Sequence, residues 1–173
     1  MTMTLPAGIT PPGTGKASPS EDVSWNILGH VYWLKAEADD CFAFETLDPP
    51  GTFVPPHIHP TQDEFIYMLE GTFDLYLDGS WTKAGPGALV RMPRGLPHGY
   101  YNRGDKQARA LFWVTPARKL RALFDHLHNL GDVGEVVRLP GLSAARQRAR
   151  RVTSTSIDPA YGRARPAPTC RRW

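Results

Sequence analysis

The sequence of 173 residues predicts an all-β fold, an antiparallel sandwich or barrel followed by one C-terminal helix. Three observations predict this fold. Short strand-like runs recur about every ten residues, glycine or proline separates them, and no long helical pattern lies between them. The run at residues 73–77 shows the strand pattern best, because its hydrophobic residues occupy every second position. The length suits one domain with its own hydrophobic core.

The predicted strands are rich in the aromatic and β-branched residues that sheets favour. In chain order they are VYWLKA (31–36), CFAFETL (41–47), EFIYMLEG and TFDLYLDG on either side of the break at Gly71, GALVRMP (87–93), HGYYN (98–102) and ARALFWVTP (108–116). The triplet DGS at 78–80 predicts a tight hairpin. This succession of short strands favours an antiparallel arrangement over a parallel sheet.

One helix is predicted after the last strand. Pro116 suits its start and Gly131 suits its end. Its hydrophobic positions at helical spacing are Leu120, Leu123, Phe124 and Leu127. We expect this face to pack on the outside of the barrel. His126 and His128 lie two positions apart, which points them to different sides of a helix, so we predict solvated or capping residues there.

Charge divides the chain into unlike parts, and we expect disordered termini. Residues 1–140 hold 12 Lys and Arg against 16 Asp and Glu, whereas residues 141–173 hold 8 Arg against a single acidic residue. The predicted segments are a flexible arm at 1–24, the barrel at 25–116, the helix and its connection at 117–140, and a basic, disordered tail at 141–173. The tail lacks interleaved aromatic residues that stack bases, so we expect no specific nucleic-acid binding. Its composition also fits a shifted reading frame in a GC-rich gene, a hypothesis that translation of the other frames tests.

Composition also bears on the compartment. No hydrophobic run approaches the roughly 18 residues of a membrane span, and the N-terminus lacks the basic start and apolar stretch of a signal sequence. We therefore expect a cytoplasmic protein with no membrane partner. Cys41 and Cys170 are the only cysteines and lie far apart in the chain, so both are expected to be reduced thiols.

Four residues have side chains and positions that suit a metal ion. His57 and His59 share one face if they lie in a strand, and Glu64 begins the next strand on its inward face. His98 follows two prolines and two glycines that produce a sharp return of the chain. Imidazole and carboxylate ligands suit one divalent transition ion, Fe, Mn, Ni, Co, Cu or Zn, and leave one or two positions open for catalysis. A lone His-x-His pair in a β protein is otherwise often a pair of surface or core histidines.

The spacing of these residues resembles the two motifs of the cupin superfamily. The motifs are Gly51-x5-His57-x-His59-x4-Glu64-x6-Gly71 and Gly87-x5-Pro93-x-Gly95-x2-His98-x3-Asn102. The resemblance covers roughly residues 25–116, and the helix that follows is similar to that of single-domain, quercetin dioxygenase-like cupins. It implies a cupin jelly-roll β-barrel, with Asn102 as a structural residue. The metal ligands that it implies are His57, His59, Glu64 and His98.

The resemblance leaves the reaction open, because cupins with these ligands include dioxygenases, isomerases, polyketide cyclases and binding proteins. Our first hypothesis is a metal-dependent dioxygenase that acts with dioxygen on a small aromatic, flavonol-like or enolisable diketone substrate. Glu64 then serves both as a ligand and as the catalytic base. The alternative is a non-redox small-molecule-binding cupin, that is, a sensor, an isomerase or a polyketide cyclase-like protein. The resemblance also implies a homodimer.

Further side chains either contribute to a substrate site or belong to ordinary structure. Aromatic and apolar residues at inward-capable positions predict a hydrophobic cavity or, for any single one, plain barrel core. They are Phe44, Phe53, Ile66, Met68, Met92, Tyr100, Phe112 and Trp113. Arg91 and Arg94, near the second motif, either hold a substrate oxyanion or are surface charges.

Overall fold

The computed structural model describes residues 10, 12–18, 21–130 and 171–172, and strands dominate this part of the chain. The strands are β1 Lys16–Ser18, β2 Glu21–Asp22, β3 Ser24–Ile27, β4 His30–Ala38, β5 Cys41–Asp48, β6 Phe53–Ile58, β7 Asp63–Glu70, β8 Phe73–Leu77, β9 Ser80–Ala84, β10 Leu89–Met92, β11 His98–Tyr101, β12 Ala108–Thr115 and β13 Arg171–Arg172. The helix is α1 Leu120–Leu127. Every predicted strand is present, although β1, β2, β3, β6, β9 and β13 were not predicted as separate strands.

Two sheets form the barrel. The larger sheet has the antiparallel strand order β10-β7-β12-β5-β4-β3. The smaller sheet has the order β13-β6-β11-β8-β9, in which the two-residue strand β13 runs parallel to β6. Strands β1 and β2 form a separate antiparallel pair. The predicted all-β jelly-roll fold with one C-terminal helix is confirmed.

The alternation of residues along β12 shows how the core is built. Ala108, Ala110, Phe112 and Val114 are fully buried, and the residues between them are half-buried. Phe112 stacks on Phe44 of the neighbouring strand, with ring centroids 5.2 Å apart. Burying one such ring contributes about 1.5–3 kcal/mol to the free energy of unfolding. The period of two in the sequence therefore translates directly into one core-facing side.

Two aromatic residues considered for the cavity face away from it. Phe53 is half-buried and stacks on Tyr101 at 5.2 Å. Trp113 is half-buried and stacks on Phe65 at 5.1 Å, because it alternates with the buried residues of β12. The other members of that set are buried, namely Phe44, Ile66, Met68, Met92, Tyr100 and Phe112.

Strand β6 contains consecutive prolines at 55–56, which donate no backbone hydrogen bond. Its pairing with β11 is irregular, since the register shifts just after His98 pairs with His57. Gly99 lies at this shift, where an added Cβ would come within 2.8 Å of the Val54 carbonyl oxygen. Only glycine allows the two backbones to approach so closely, and the approach keeps the two histidines opposite each other.

Helix α1 is shorter than predicted. It begins at Leu120 rather than Pro116, because Arg118 has a φ of 51°, which a right-handed helix excludes. It also ends before the predicted Gly131, at Leu127, and Asn129 has a φ of 64°, which a right-handed helix excludes. Its buried residues are Leu120, Phe124 and Leu127, on the predicted face.

Both helix histidines are exposed, as predicted. The Nδ1 atom of His128 accepts a hydrogen bond from the backbone N–H of Asn26 at 3.1 Å. The backbone N–H of Asn129 donates to the Asn26 carbonyl at 2.7 Å. These bonds attach the end of α1 to β3, so His128 has a structural role and His126 faces solvent.

Residues 12–18, which the sequence assigns to a flexible arm, lie against the larger sheet on the face opposite the core. The backbone N–H of Gly13 donates to the Glu45 carboxylate at 3.1 Å, and Lys35 Nζ donates to the Thr14 carbonyl at 2.7 Å. Burial raises the pKa of Glu45, but bonds from Lys35, Arg109 and Gly13 outweigh it and hold the pKa below its ordinary value. Residues 1–9, 11 and 19–20 of the arm and most of the 141–173 tail lie outside the described residues, so the segment boundaries stay predictions.

Two smaller expectations concern cysteine and membranes. Cys41 is a free cysteine, and burial raises the pKa of its thiol. Cys170 lies outside the described residues. Within the part of the chain that the structure describes, no helix combines the length and hydrophobicity needed to cross a membrane.

Candidate metal centre

Three strands and one loop bring four metal-binding side chains together inside the barrel. His57 lies on β6, His59 follows the end of that strand, Glu64 is the second residue of β7, and His98 opens β11. All four side chains are buried. One nitrogen or oxygen atom from each lies within 4.8 Å of the others. The structure thus assembles the four residues that the sequence singled out.

The atoms of this cluster are separated as ligands of one ion are. The carboxylate oxygen Oε2 of Glu64 lies 3.0 Å from His98 Nε2 and 3.1 Å from His59 Nε2. His57 Nε2 lies 3.9 Å from the same oxygen and 3.1 Å from His59 Nε2. Atoms bound about 2.1 Å from a common ion lie roughly 3.0–4.2 Å apart, for angles of about 90–180°. The cluster is therefore compatible with one metal ion.

Backbone carbonyls orient two of the imidazole rings. The Nδ1 atoms of His57 and His98 lie 3.0 Å from the carbonyl oxygens of Pro55 and Leu96, respectively. Each carbonyl accepts the Nδ1–H bond, which leaves an unprotonated Nε2 directed at the cluster. In this tautomer, the lone pair of His98 Nε2 faces the Glu64 carboxylate. A cation between the two atoms removes the repulsion between them.

Burial and neighbouring charges set the protonation of the cluster. Burial lowers the pKa of His57 well below its usual value of 6.5, and His98 and His59 lower it further. The ring is therefore neutral near pH 7, which is the form that binds a metal. Burial raises the pKa of Glu64, but the neighbouring imidazoles of His59 and His98 outweigh it and hold the pKa well below its usual range. An ionised Glu64 supplies the negative charge that a divalent ion requires.

The pairing of strands and loops holds the two sequence motifs against each other. His98 pairs with His57 across β11 and β6, and Met92 pairs with Glu64 across β10 and β7. The backbone N–H of Gly95 donates to the His59 carbonyl at 2.9 Å. The ligand positions are thus determined by backbone pairing.

Asn102, the last residue of the second motif, has the structural role that the resemblance implies. Its Nδ2 atom donates to the carbonyl oxygens of Asp48 and Lys106, both at 2.8 Å. Its Oδ1 atom accepts a bond from the backbone N–H of Gly104 at 3.1 Å. Asn102 thereby connects the turn after β11 to the end of β5.

Arg91 and Arg94 both bind Asp63, the residue before Glu64. The backbone N–H of Arg94 donates to Asp63 Oδ1 at 2.8 Å, and the Nε atom of Arg94 donates to the same oxygen at 3.2 Å. A guanidinium nitrogen of Arg91 donates to the other carboxylate oxygen, Oδ2, at 3.4 Å. The hydrogen bonds from Arg94 lower the pKa of Asp63 to about 2. The two arginine side chains are 61% and 54% exposed, so they act as surface charges that stabilise the start of β7.

A cavity of about 70 Å³ adjoins the cluster. Its lining includes His57, His59 and Glu64, together with the rings of Tyr32 and Tyr100. The hydrophobic side of α1 lines part of it through Leu120, Leu123, Phe124 and Leu127. The expectation that α1 packs on the outside of the barrel is therefore wrong. The helix covers the cavity because this is where its hydrophobic side meets the rings of β4 and β5.

Sequence reasoning missed two residues near the site. Gln62 lies between the first-motif ligands, and its Nε2 atom donates to the carbonyl oxygens of Pro116 and Ala117 at 3.0 and 2.8 Å. It attaches the segment before α1 to the metal loop, and no pattern in the sequence indicates this.

Tyr32 was predicted only as a strand residue. Its parity with the buried Leu34 was the available signal that it faces inward.

Comparison with known proteins identifies the fold family of the site. Residues 43–114 match the family model described as "Cupin domain". The match covers 72 of the 173 residues. A 67-residue segment is 33% identical to "Polyketide synthase CurC" of Streptomyces cyaneus and 31% identical to "Tetracenomycin polyketide synthase protein TcmJ" of Streptomyces glaucescens. These matches cover 39% of this chain and 44% and 45% of those proteins, so the chain spans less than half the length of the curated relatives it matches.

Further proteins are similar to this chain in sequence or in fold. "Germin-like protein 5-1" of Oryza sativa subsp. japonica is 36% identical over 67 residues, which cover 36% of this chain and 30% of that protein. The structure of KdgF from Halomonas sp. superimposes with a TM-score of 0.51 at 22% identity, over 54% of this chain and 84% of that one. An RmlC-like cupin from Shewanella frigidimarina superimposes with a TM-score of 0.50 at 19% identity, over 54% and 82%. The two structures support the cupin fold alone.

Proposed function

We propose that this cupin is a metal-dependent dioxygenase that acts on a small enolisable diketone. The observation that supports it is the buried cluster of three histidines and one glutamate beside a small cavity lined mainly by hydrophobic residues. His57, His59, Glu64 and His98 hold one divalent transition ion, Fe, Mn, Ni, Co, Cu or Zn. When bound, such an ion polarises a substrate carbonyl and provides a position for dioxygen.

The volume of the cavity restricts the substrate. Pockets that bury drug-sized ligands measure roughly 300–1,000 Å³. The cavity of about 70 Å³ is several times smaller, so a flavonol-sized molecule does not fit while α1 is in place. Of the three substrate classes that the sequence suggests, we therefore propose the small diketone rather than the aromatic or flavonol-like molecules. In the reaction, one carbon–carbon bond of the diketone is cleaved and both atoms of dioxygen enter the products, so the diketone supplies all the electrons and no external reductant is needed.

Glu64 is assigned two roles. Its Oε2 atom faces the imidazoles of His59 and His98 as a ligand. Its Oε1 atom forms no hydrogen bond with any described residue, and the carboxylate borders the cavity. We assign Oε1 as the acceptor of the proton that leaves the carbon between the two substrate carbonyls. The hydrophobic side of α1 excludes water from this transfer.

Oxygen consumption tests the proposal directly. Samples of the purified protein are loaded separately with Fe(II), Mn(II) or Ni(II) and mixed with pentane-2,4-dione in an oxygen-electrode cell. We expect one dioxygen to be consumed per diketone with at least one of the metals, and none with metal-free protein. If none of the loaded samples consumes dioxygen, the protein is not a diketone dioxygenase.

Replacing Glu64 by glutamine separates the two roles of the carboxylate. The amide retains an oxygen ligand but is a poor base, so we expect partial metal retention and a turnover lower by about 10²–10⁴-fold. Metal content and oxygen uptake are measured on the same sample. Glu70→Gln, on the same strand with a side chain that is 55% exposed, is the matched control. Full activity of the Glu64→Gln variant would remove this residue from the chemistry.

A second candidate function is a non-redox, polyketide cyclase-like activity. It is favoured by the relatives named as polyketide synthase proteins, with 31–33% identity over 67 residues. A polyketide is larger than the cavity of about 70 Å³, so its binding requires α1 to move away from the cavity. Conversion of a linear polyketide analogue by Zn(II)-loaded protein in the absence of dioxygen distinguishes this activity from a dioxygenase.

A homodimer is also proposed. Tyr67 and Leu89 pair across β7 and β10, and their side chains are 40% and 63% exposed on the outer face of the larger sheet. Covering such hydrophobic side chains with a second copy removes them from water. Light scattering should give the mass of two 19.2 kDa chains, and Leu89→Glu should give the mass of one. A monomeric unmodified protein contradicts the proposal.

The cytoplasmic location and the lack of specific nucleic-acid binding stay predictions.

A further inference from the structure

A second buried polar cluster lies beside the cavity, outside the metal ligands. Asp48 and His30 are fully buried, and the Nδ1 atom of His30 bonds to one Asp48 oxygen. The other Asp48 oxygen accepts a hydrogen bond from the Thr46 hydroxyl at 2.5 Å. The His30 ring packs against the rings of Tyr32 and Tyr100, with centroids 5.7 and 5.8 Å away. We call these five residues the tyrosine–histidine cluster.

The two tyrosines of this cluster retain a free hydrogen-bond donor. Their hydroxyl oxygens lie 3.2 Å apart, and both rings line the cavity beside the metal ligands. Two hydroxyls carry two protons, and their mutual hydrogen bond uses one of them. Neither hydroxyl has a further hydrogen-bond partner among the described residues. The pair can therefore donate one more bond to a molecule in the cavity.

The protonation of this pair favours a donor role. Burial raises the pKa of Tyr32 well above its usual value, and the charge of Asp48 raises it further. The Tyr32 hydroxyl consequently keeps its proton at all physiological pH values. The nearby His30 Nε2 is a buried polar atom with no hydrogen-bond partner among the described residues. Buried polar groups are almost always paired, so this region contains more hydrogen-bonding capacity than the fold alone uses.

We propose that the Tyr32–Tyr100 pair binds the second oxygen of the substrate. This inference rests on the proposed function, since it concerns the same small diketone in the same cavity. One substrate oxygen lies at the metal ligands. The other accepts a hydrogen bond from the tyrosine hydroxyl that is not used in the bond between the two tyrosines. A ligand with two oxygens is thereby held at both ends, whereas a ligand that reaches only the metal gains nothing from the tyrosines. The pair is a specificity determinant for dicarbonyl over monodentate ligands.

Ligand binding without turnover tests this assignment. The protein is loaded with Co(II), whose visible spectrum reports ligand binding, and titrated without dioxygen with pentane-2,4-dione or with azide. Because either hydroxyl can supply the proton, the decisive variant is Tyr32→Phe/Tyr100→Phe, accompanied by both single variants. We expect the double variant to bind the diketone roughly 2–12-fold more weakly, the range for one lost neutral hydrogen bond. Its affinity for azide should not change.

The control variant is Tyr101→Phe, whose half-buried ring stacks on Phe53 and is not part of the cavity lining. Unchanged diketone binding in the double variant overturns the assignment, and so does an equal loss for diketone and azide, since that indicates a damaged metal centre. Absence of diketone binding in the unmodified protein overturns it together with the substrate class. If diketone binding depends on the tyrosines but no oxygen is consumed, the tyrosine assignment is supported and the proposed dioxygenase activity is rejected. Failure of the assignment and failure of the proposed function are therefore distinguishable.

Discussion

Replacing His98 by alanine is expected to abolish tight metal binding. His98 contributes the cluster's only nitrogen from the second motif, and its Nε2 lies 3.0 Å from Glu64 Oε2. Loss of an outer partner of a metal ligand costs roughly 10–100-fold in metal affinity, and loss of a direct ligand should cost more. Calorimetric titration of the metal-free protein with Zn(II) measures the change. The unmodified chain should bind one equivalent.

His126→Ala is the matched control for this variant, because it removes an exposed imidazole from α1. Thermal unfolding provides a second measurement. An ion present at about 100 times its dissociation constant stabilises the folded protein by about 2.7 kcal/mol. The unmodified chain and the control should therefore unfold at a higher temperature with Zn(II), whereas His98→Ala should not. A His98→Ala protein that binds one Zn(II) with unchanged affinity would show that the four residues do not form a metal site.

Phe124→Ala is expected to lower the free energy of unfolding by about 3–5 kcal/mol, the usual cost of truncating a buried phenylalanine. The Phe124 ring lies 4.9 Å from Phe44, 5.2 Å from Tyr32 and 5.4 Å from Trp25, measured between ring centroids. Alanine removes the aromatic ring through which α1 packs against these three rings. Urea unfolding of the metal-free protein measures the loss, and a change below about 1 kcal/mol would contradict this packing.

The same substitution should enlarge the cavity, because Phe124 is part of its lining. We expect Co(II)-loaded Phe124→Ala to bind a bulkier diketone, 1-phenylbutane-1,3-dione, more tightly relative to pentane-2,4-dione than the unmodified protein does. His126→Ala, on the exposed side of the helix, should change neither stability nor ligand preference. An unchanged preference in Phe124→Ala would mean that α1 does not limit ligand size.

Several features of the fold were predictable because they are local. The alternation in the sequence of β12 and the shared parity of Glu64 with Ile66 and Met68 depend only on the period of a strand. Helix α1 was found with its correct buried face, since a period near four residues is equally local. Its start was misplaced, because the left-handed conformation of Arg118 is not written in any residue preference.

The sequence by itself determined which four residues gather around one point, since their spacing matches the two motifs on which the cupin resemblance rests. It did not determine how large the adjoining space is or what borders it. The tertiary structure decided that α1 lines the cavity, that Trp113 faces outward, and that Tyr32 meets Tyr100 from the opposite sheet. These contacts join residues far apart in the chain. They depend on how sheets and helix pack, which no local periodicity encodes.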